Sequence, residues 1–174
     1  MWMGDEHLPS LRFDPITGYL PEGMHVVSLT AVRKYLVNDF SHSRTRGRLY
    51  EKFIRYISAL RRRVRLIGAV VDGSYVTNKV DPNDIDLSVI VDGSAFENCS
   101  PKSQSMLAKF IINDSPDAGH FYDCHPFLCF FLYPDGHPLS SLNDISLVES
   151  ARFWMLTKED QPKGPKGILY IDLQ

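Results

Sequence analysis

Cysteine is scarce in this 174-residue chain, and long apolar runs are missing from it. Three cysteines do not make a disulfide framework, so we expect a protein of a reducing compartment, the cytoplasm. No apolar stretch approaches the about 20 residues of a membrane-spanning helix, and the polar start at residues 1–6 is unlike a signal peptide. Internal repeats and low-complexity tracts are absent as well. These absences predict a cytoplasmic protein without a membrane partner.

An excess of either charge is also lacking, because the formal net charge is only −2. Bulk charge therefore predicts no polyanionic partner. The basic residues are nevertheless concentrated, since nine of the 19 lie in residues 44–65 beside one acid, Glu51. They are Arg44, Arg46, Arg48, Lys52, Arg55, Arg61, Arg62, Arg63 and Arg65. Two interpretations stay open: a solvated helix face, or a surface for a polyanion such as a nucleoside triphosphate or RNA.

The apolar pattern predicts an α/β (α+β) protein with a mixed sheet of about four to five strands flanked by helices. Helices are expected at 29–39, from residue 41 or 43 to 63, at 101–112 and at 142–156, and strands at 66–71, 84–91, 121–133 and 168–173. The connection 73–83 is too short for a comfortable helical crossover, which predicts that the strands on either side pair directly as a hairpin. Proline and glycine recur in residues 1–24, which predicts an extended arm with turns, packed on the domain or partly loose, before a single domain at 25–174.

Two short motifs flank that connection and carry the chemistry. Asp84 and Asp86 are spaced i and i+2, so in a strand both carboxylates lie on one face and Ile85 lies on the other. Paired carboxylates repel each other and favour a shared cation, and Mg²⁺ takes oxygen ligands of this kind together with substrate phosphates. Gly73 and Ser74 end the preceding strand, where glycine allows close approach of a ligand and the hydroxyl and N–H groups suit phosphate oxygens.

A third carboxylate from another strand is common in metal-dependent phosphoryl transfer, and Asp123 is the best candidate for it. It stands in an otherwise apolar segment predicted as a strand, where an unpaired charge is costly unless a metal or partner is present. An edge-strand aspartate facing solvent is the alternative. The same alternation would place His125 on the face of Asp123, near the metal or simply packed and hydrogen-bonded.

The combination of Gly73-Ser74, Asp84-Ile85-Asp86 and a later strand aspartate resembles the nucleotidyltransferase superfamily that includes DNA polymerase β. The resemblance implies that this chain has a minimal version of the nucleotidyltransferase fold. Over nearly its whole length the chain resembles a group of small bacterial and phage nucleotidyltransferase-like proteins. Further matching pieces are residues 18–23, the arginine-rich helix, 72–77, 81–86 and 165–168.

The resemblance implies an enzyme that moves a nucleoside monophosphate from ATP or another NTP to a hydroxyl with the help of Mg²⁺ or Mn²⁺. Gly73, Ser74 and Lys79 would bind the nucleotide, while Asp84, Asp86 and Asp123 would be both the catalytic residues and the metal ligands. The acceptor would be an RNA 3′ end, a tRNA, a protein or a small molecule, reached through the basic residues of 44–65. The role would be that of a toxin or defence component.

Other interpretations stay open at this point. The chain could be a degenerate binding module of the same fold that acts as an antitoxin or partner subunit, or an RNA-binding protein without chemistry. Asp72 would cap a turn or contact substrate, and Lys163 and Lys166 would be loop solubilisers or phosphate contacts. Strand alternation sends Cys124 and His125 to opposite faces, which argues against a zinc site there.

Overall fold

A five-stranded mixed sheet lies at the centre of the protein in the computed structural model, which describes residues 11–111, 121–133 and 166–174. The strands are β1 (Met24–Val27), β2 (Leu66–Asp72), β3 (Ile85–Asp92), β4 (Cys124–Leu132) and β5 (Ile168–Asp172). Their order across the sheet is β1-β5-β2-β3-β4. β2 is antiparallel to β3 and to β5, whereas the pairs β1–β5 and β3–β4 are parallel. The predicted α+β class and the predicted pairing of β2 with β3 are both confirmed.

Helices cover one face of this sheet. They are α1 (Leu29–Leu36), α2 (Arg46–Arg61), α3 (Gly93–Glu97) and α4 (Pro101–Ile111). The hydroxyl of Ser28 accepts the Ala31 N–H at 3.1 Å and begins α1 as an N-cap. The apolar residues of α2 recur every three to four positions, and Leu49, Phe53, Ile57 and Leu60 are all buried. α3 and α4 lie in the connection that parallel β3 and β4 require.

Several boundaries differ from the prediction. α1 ends at Leu36 and is followed by a 3₁₀ turn at Asn38–Phe40, while α2 begins only at Arg46. The third predicted strand starts at Cys124 instead of residue 121. β1 and α3 were not predicted, since both are short. The helix predicted at 142–156 lies outside the described residues.

The described part of the predicted arm packs against the domain. Leu11, Tyr19 and Leu20 are buried. The carbonyl of Gly18 accepts the Asn78 N–H at 2.8 Å, and the carbonyl of Leu20 accepts the Gly167 N–H at 2.9 Å. Residues 11–23 therefore contact both the connection after β2 and the residue just before β5.

The two faces of the sheet bury different side chains. Val71, Ile85, Leu87 and Cys124 belong to the main core beneath the helices. Val70, Ile90, Phe130 and Ile168 form a smaller cluster on the opposite face. Because neighbouring residues of a strand alternate faces, Asp86 lies on the opposite face from Ile85, away from the helices. None of the helices in the described ranges is long and apolar enough to cross a membrane.

Candidate metal centre

Asp84, Asp86 and His125 meet where β3 and β4 begin. His125 Nδ1 lies 3.4 Å from Asp84 Oδ2 and 3.9 Å from Asp86 Oδ1. One potential ligand atom from each residue lies within 4.8 Å of the other two. The register explains the grouping, because Asp86 and His125 are paired across the parallel strands and so share a face. Asp84 and Asp86 lie close together, as their spacing predicts, and His125 is the third side chain of the group.

Gly73 forms one wall of this group. Its backbone has φ 76° and ψ −162°, a conformation open essentially to glycine alone. A Cβ atom built on Gly73 would also collide with the carboxylate of Asp86. The backbone of the turn after β2 therefore lies directly against one of the two paired carboxylates.

Ser74 follows and begins a 3₁₀ turn, Ser74–Val76. Its carbonyl accepts hydrogen bonds from the N–H and the hydroxyl of Thr77, at 3.3 and 2.8 Å. Of the predicted nucleotide-binding pair, Gly73 lies beside the Asp86 carboxylate and Ser74 follows it in the turn, while contact of the pair with a nucleotide stays a prediction.

Asp72 and Lys166 form an ion pair beside Gly73. Lys166 Nζ lies 2.7 Å from Asp72 Oδ1, and the side chains are only 12% and 16% exposed. Asp72 is paired directly with Asp86 across the antiparallel strands, so both lie on one face. Asp72 and Lys166 therefore lie beside the candidate site, and a contact of either residue with substrate or phosphate stays a prediction.

Asp123 is held by cations of α2 instead of joining the cluster. Its carboxylate contacts Arg48 and lies 2.9 Å from Lys52 Nζ. Partial burial acts to raise the pKa of this carboxyl, but hydrogen bonds and charge from Lys52 and Arg48 outweigh that effect and lower the pKa below the ordinary aspartate value. A role of Asp123 as metal ligand stays a prediction, and the described structure brings it to Arg48 and Lys52.

The backbone explains this placement of Asp123. It precedes the first residue of β4 and has φ 49°, in the left-handed region. Strand alternation therefore does not extend to it, and the expectation that Asp123 and His125 share a strand face was wrong in that respect. Its carbonyl still accepts the Ile85 N–H at 3.0 Å, so the residue remains at the mouth of the two strands.

Arg46 of helix α2 binds the backbone of the connection between Gly73 and Asp84. The side chain is completely buried and its guanidinium donates to the carbonyls of Tyr75, Thr77 and Lys79 at 2.7–2.8 Å. It also donates to the Leu36 carbonyl and stacks on the Phe40 ring, 3.8 Å from its centroid. Burial lowers the pKa of Arg46 to about 10, which still leaves it charged at neutral pH. No local pattern in the sequence indicates that this arginine is internal.

Lys79, the predicted phosphate contact, is exposed in the same connection. Its carbonyl is an acceptor of Arg46, and its N–H donates to the Thr77 hydroxyl at 3.2 Å. The backbone of Lys79 is therefore fixed, and its role toward a nucleotide stays a prediction.

Most of the basic residues of 44–65 have partners within the protein. Besides Arg46, Arg48 and Lys52, there are contacts from Arg44 to Asp81, Arg61 to the Leu173 carbonyl, Arg63 to the Ala59 carbonyl and Arg65 to Asp92. These contacts give the cluster a structural use, and its use as a surface for RNA or another polyanion stays a prediction.

Together, the fold and this group of side chains define an α+β protein with a candidate divalent-cation centre at the end of its sheet. Residues 11–172 match the model of a family of unknown function, DUF6932, and the chain belongs to that family. No curated protein and no solved structure matches the chain.

Proposed function

We propose that this protein is a metal-dependent nucleotidyltransferase that moves a nucleoside monophosphate from an NTP to a hydroxyl group. The observation that carries the proposal is the contact between the Gly73 turn and Asp86, one of the two paired carboxylates. Asp84, Asp86 and His125 offer ligands within 4.8 Å of one another, and the glycine backbone lies against Asp86. A cation held there would sit beside a turn suited to phosphate oxygens.

The side chains fit a divalent cation. Carboxylate oxygens and an imidazole nitrogen are ordinary ligands of Mg²⁺, Mn²⁺ and related ions, and Asp84, Asp86 and His125 all keep some solvent exposure. When bound, such an ion supplies charge stabilisation for the attacking and leaving oxygens of the phosphoryl group. Asp84 and Asp86 would hold it, and their position at the start of β3, which pairs with β2, would fix its distance from the Gly73 turn.

The surrounding residues have separable tasks in this proposal. Gly73 and Ser74 would receive the triphosphate, since a residue with a side chain at position 73 would close the approach to Asp86. Lys166 would bring positive charge to the same corner while neutralising Asp72. The acceptor hydroxyl would attack the α-phosphorus, a new P–O bond would form, and pyrophosphate would leave with the electron pair of the broken bond. Asp123 would accept the proton of the hydroxyl, as the resemblance implies.

A second candidate function is a binding module of the same fold without catalysis. The ion pairs of Asp123 with Arg48 and Lys52 favour it, because they occupy the carboxylate expected to act as the base. A module of this kind would bind nucleotide or a partner protein and would leave the NTP intact.

Labelled nucleotides separate the two functions. The full chain is incubated with each α-³²P-labelled NTP, total RNA and a protein extract, with Mg²⁺ or Mn²⁺, beside the double variant Asp84→Asn/Asp86→Asn. Asp39→Asn, at an exposed aspartate, is the matched control. We expect transfer of label with release of pyrophosphate in the wild type and the control, and loss of at least about a hundredfold in the double variant. Equal labelling in the double variant, or no labelling in any condition, would refute the enzymatic function.

A further inference from the structure

We propose that His125 is a nitrogen ligand of the bound ion, so that the centre prefers a first-row transition ion such as Mn²⁺ over Mg²⁺. The inference deepens the proposed function, on which it rests for the ion's role in transfer. It can be measured as metal binding alone. The grouping of an imidazole with two carboxylates carries it, because a third carboxylate would favour Mg²⁺ instead.

The distances suit ligands of a single ion. Two ligand atoms about 2.1 Å from one metal are about 3.0 Å apart at a right angle and about 3.4 Å apart at a tetrahedral angle. The Nδ1 atom of His125 lies 3.4 Å from Asp84 Oδ2 and 3.9 Å from Asp86 Oδ1. A small rotation of the two aspartate side chains would bring all three atoms around one ion without moving the strands.

The positions of these side chains leave room for other ligands. The His125 side chain is 51% exposed, and Asp84 and Asp86 are 32% and 24% exposed. Three protein ligands with open positions toward solvent are typical of catalytic metal centres, where water or substrate completes the coordination. The remaining positions of the ion would therefore be available for phosphate oxygens.

The neighbouring carboxylates are engaged elsewhere. Asp72 lies 2.7 Å from Lys166, and Asp123 is bound by Arg48 and Lys52. Drawing either carboxylate to the ion would break an ion pair and leave its cation partly buried. His125 needs no such exchange, since its nitrogen already lies within reach of both aspartates.

The nitrogen ligand makes the centre selective for transition ions over Mg²⁺. Mg²⁺ is bound through oxygen and keeps several waters, whereas imidazole suits transition ions, whose affinity for mixed nitrogen and oxygen sites rises from Mn²⁺ to Cu²⁺ and is lower again for Zn²⁺. Mn²⁺ is the informative probe, because it also supports phosphoryl transfer and is paramagnetic.

The test measures binding and coordination on the metal-stripped full chain. Mn²⁺ is titrated and followed by electron paramagnetic resonance, Mg²⁺ is measured by competition, and electron spin-echo modulation reports ¹⁴N bound to Mn²⁺. We expect Mn²⁺ to bind at least about tenfold more tightly than Mg²⁺, with imidazole ¹⁴N modulation in the wild type. His125→Gln should lose that modulation and at least about tenfold in Mn²⁺ affinity. His42→Gln, at an exposed histidine, is the matched control and should change neither.

The variant His125→Asp keeps the test decisive if the glutamine variant folds poorly. It introduces a third carboxylate beside Asp84 and Asp86, so we expect the preference for Mn²⁺ over Mg²⁺ to shrink or reverse. Absence of ¹⁴N modulation in the wild type, or unchanged affinities in both His125 variants, would overturn the inference. Mn²⁺ bound through nitrogen without nucleotide transfer would overturn the proposed function alone. Transfer with Mg²⁺ that is unaffected by His125→Gln would overturn the inference alone.

Discussion

At the scale of single residues, the candidate site depends on one backbone conformation. Gly73 adopts φ 76° and ψ −162°, and its missing side chain makes space for the Asp86 carboxylate. The two facts are linked, because only glycine is both comfortable in this conformation and small enough for this contact. The absence of a Cβ atom at position 73 therefore helps to set the shape of the site.

Replacing Gly73 with alanine should damage the site and the fold together. We expect Gly73→Ala to cost about 1–3 kcal/mol of stability from backbone strain and to weaken Mn²⁺ binding at least about tenfold, because Asp86 must move. Chemical denaturation and metal titration measure the two effects. Gly47→Ala is the matched control, since a Cβ there meets only Val37 Cγ1 at 3.8 Å and helix α2 should gain up to about 1 kcal/mol. Unchanged metal affinity in Gly73→Ala would contradict this account of the turn.

Part of the site could be predicted from sequence and part could not. The spacing of Asp84 and Asp86 fixes a shared face as soon as a strand is assumed, and β3 supplies the strand. The same reasoning failed for the strand face of Asp123. β4 begins one residue after Asp123, and the left-handed backbone of Asp123 turns its side chain away from that face. Lys166 comes from the far end of the chain, and only the placement of β5 beside β2 brings it to Asp72.

At the scale of elements, α2 acts as the support of the connection between β2 and β3. One of its side chains, the buried Arg46, binds the carbonyls of Tyr75, Thr77 and Lys79, while two others hold Asp123. The periodicity of the helix predicted its buried apolar stripe. It did not predict the internal arginine, since local sequence does not record which distant carbonyls need donors.

Removing the Arg46 guanidinium should therefore destabilise the connection between β2 and β3 and, with it, the fold. Arg46→Met keeps the apolar stem but leaves several buried carbonyl oxygens without donors, and we expect a loss of at least about 3 kcal/mol in the free energy of unfolding. Arg55→Met, at an exposed position of the same helix, should stay within about 0.5 kcal/mol. Urea denaturation of both variants makes the comparison, and equal stability of the two would show that Arg46 is dispensable.

At the scale of the whole molecule, residues 11–23 belong with the domain that follows them. Leu20 is 1% exposed within the main core, and the carbonyls of Gly18 and Leu20 accept the backbone N–H groups of Asn78 and Gly167. Composition suggested an arm because proline and glycine are frequent there. Of the two predicted alternatives, packed on the domain or partly loose, residues 11–23 follow the first, since Leu11, Tyr19 and Leu20 are buried.

Alanine at Leu20 tests this assignment. We expect Leu20→Ala to lower the free energy of unfolding by about 2–5 kcal/mol, the usual cost of a cavity in a core. Ile16→Ala, in the same segment but 88% exposed, should change it by no more than about 0.5 kcal/mol. Similar small effects at both positions would mean that this segment contributes little to the domain.

The order of the sheet also has a consequence for the protein during its synthesis. β5 separates β1 from β2, although it is made about a hundred residues after β2. A growing polypeptide on the ribosome therefore exposes the hydrogen-bonding edge of β2 until residues 168–172 emerge, and an unpaired strand edge invites pairing with other chains. β5, the last of the five described strands in chain order, thus completes this sheet, and Lys166 just before it pairs with Asp72.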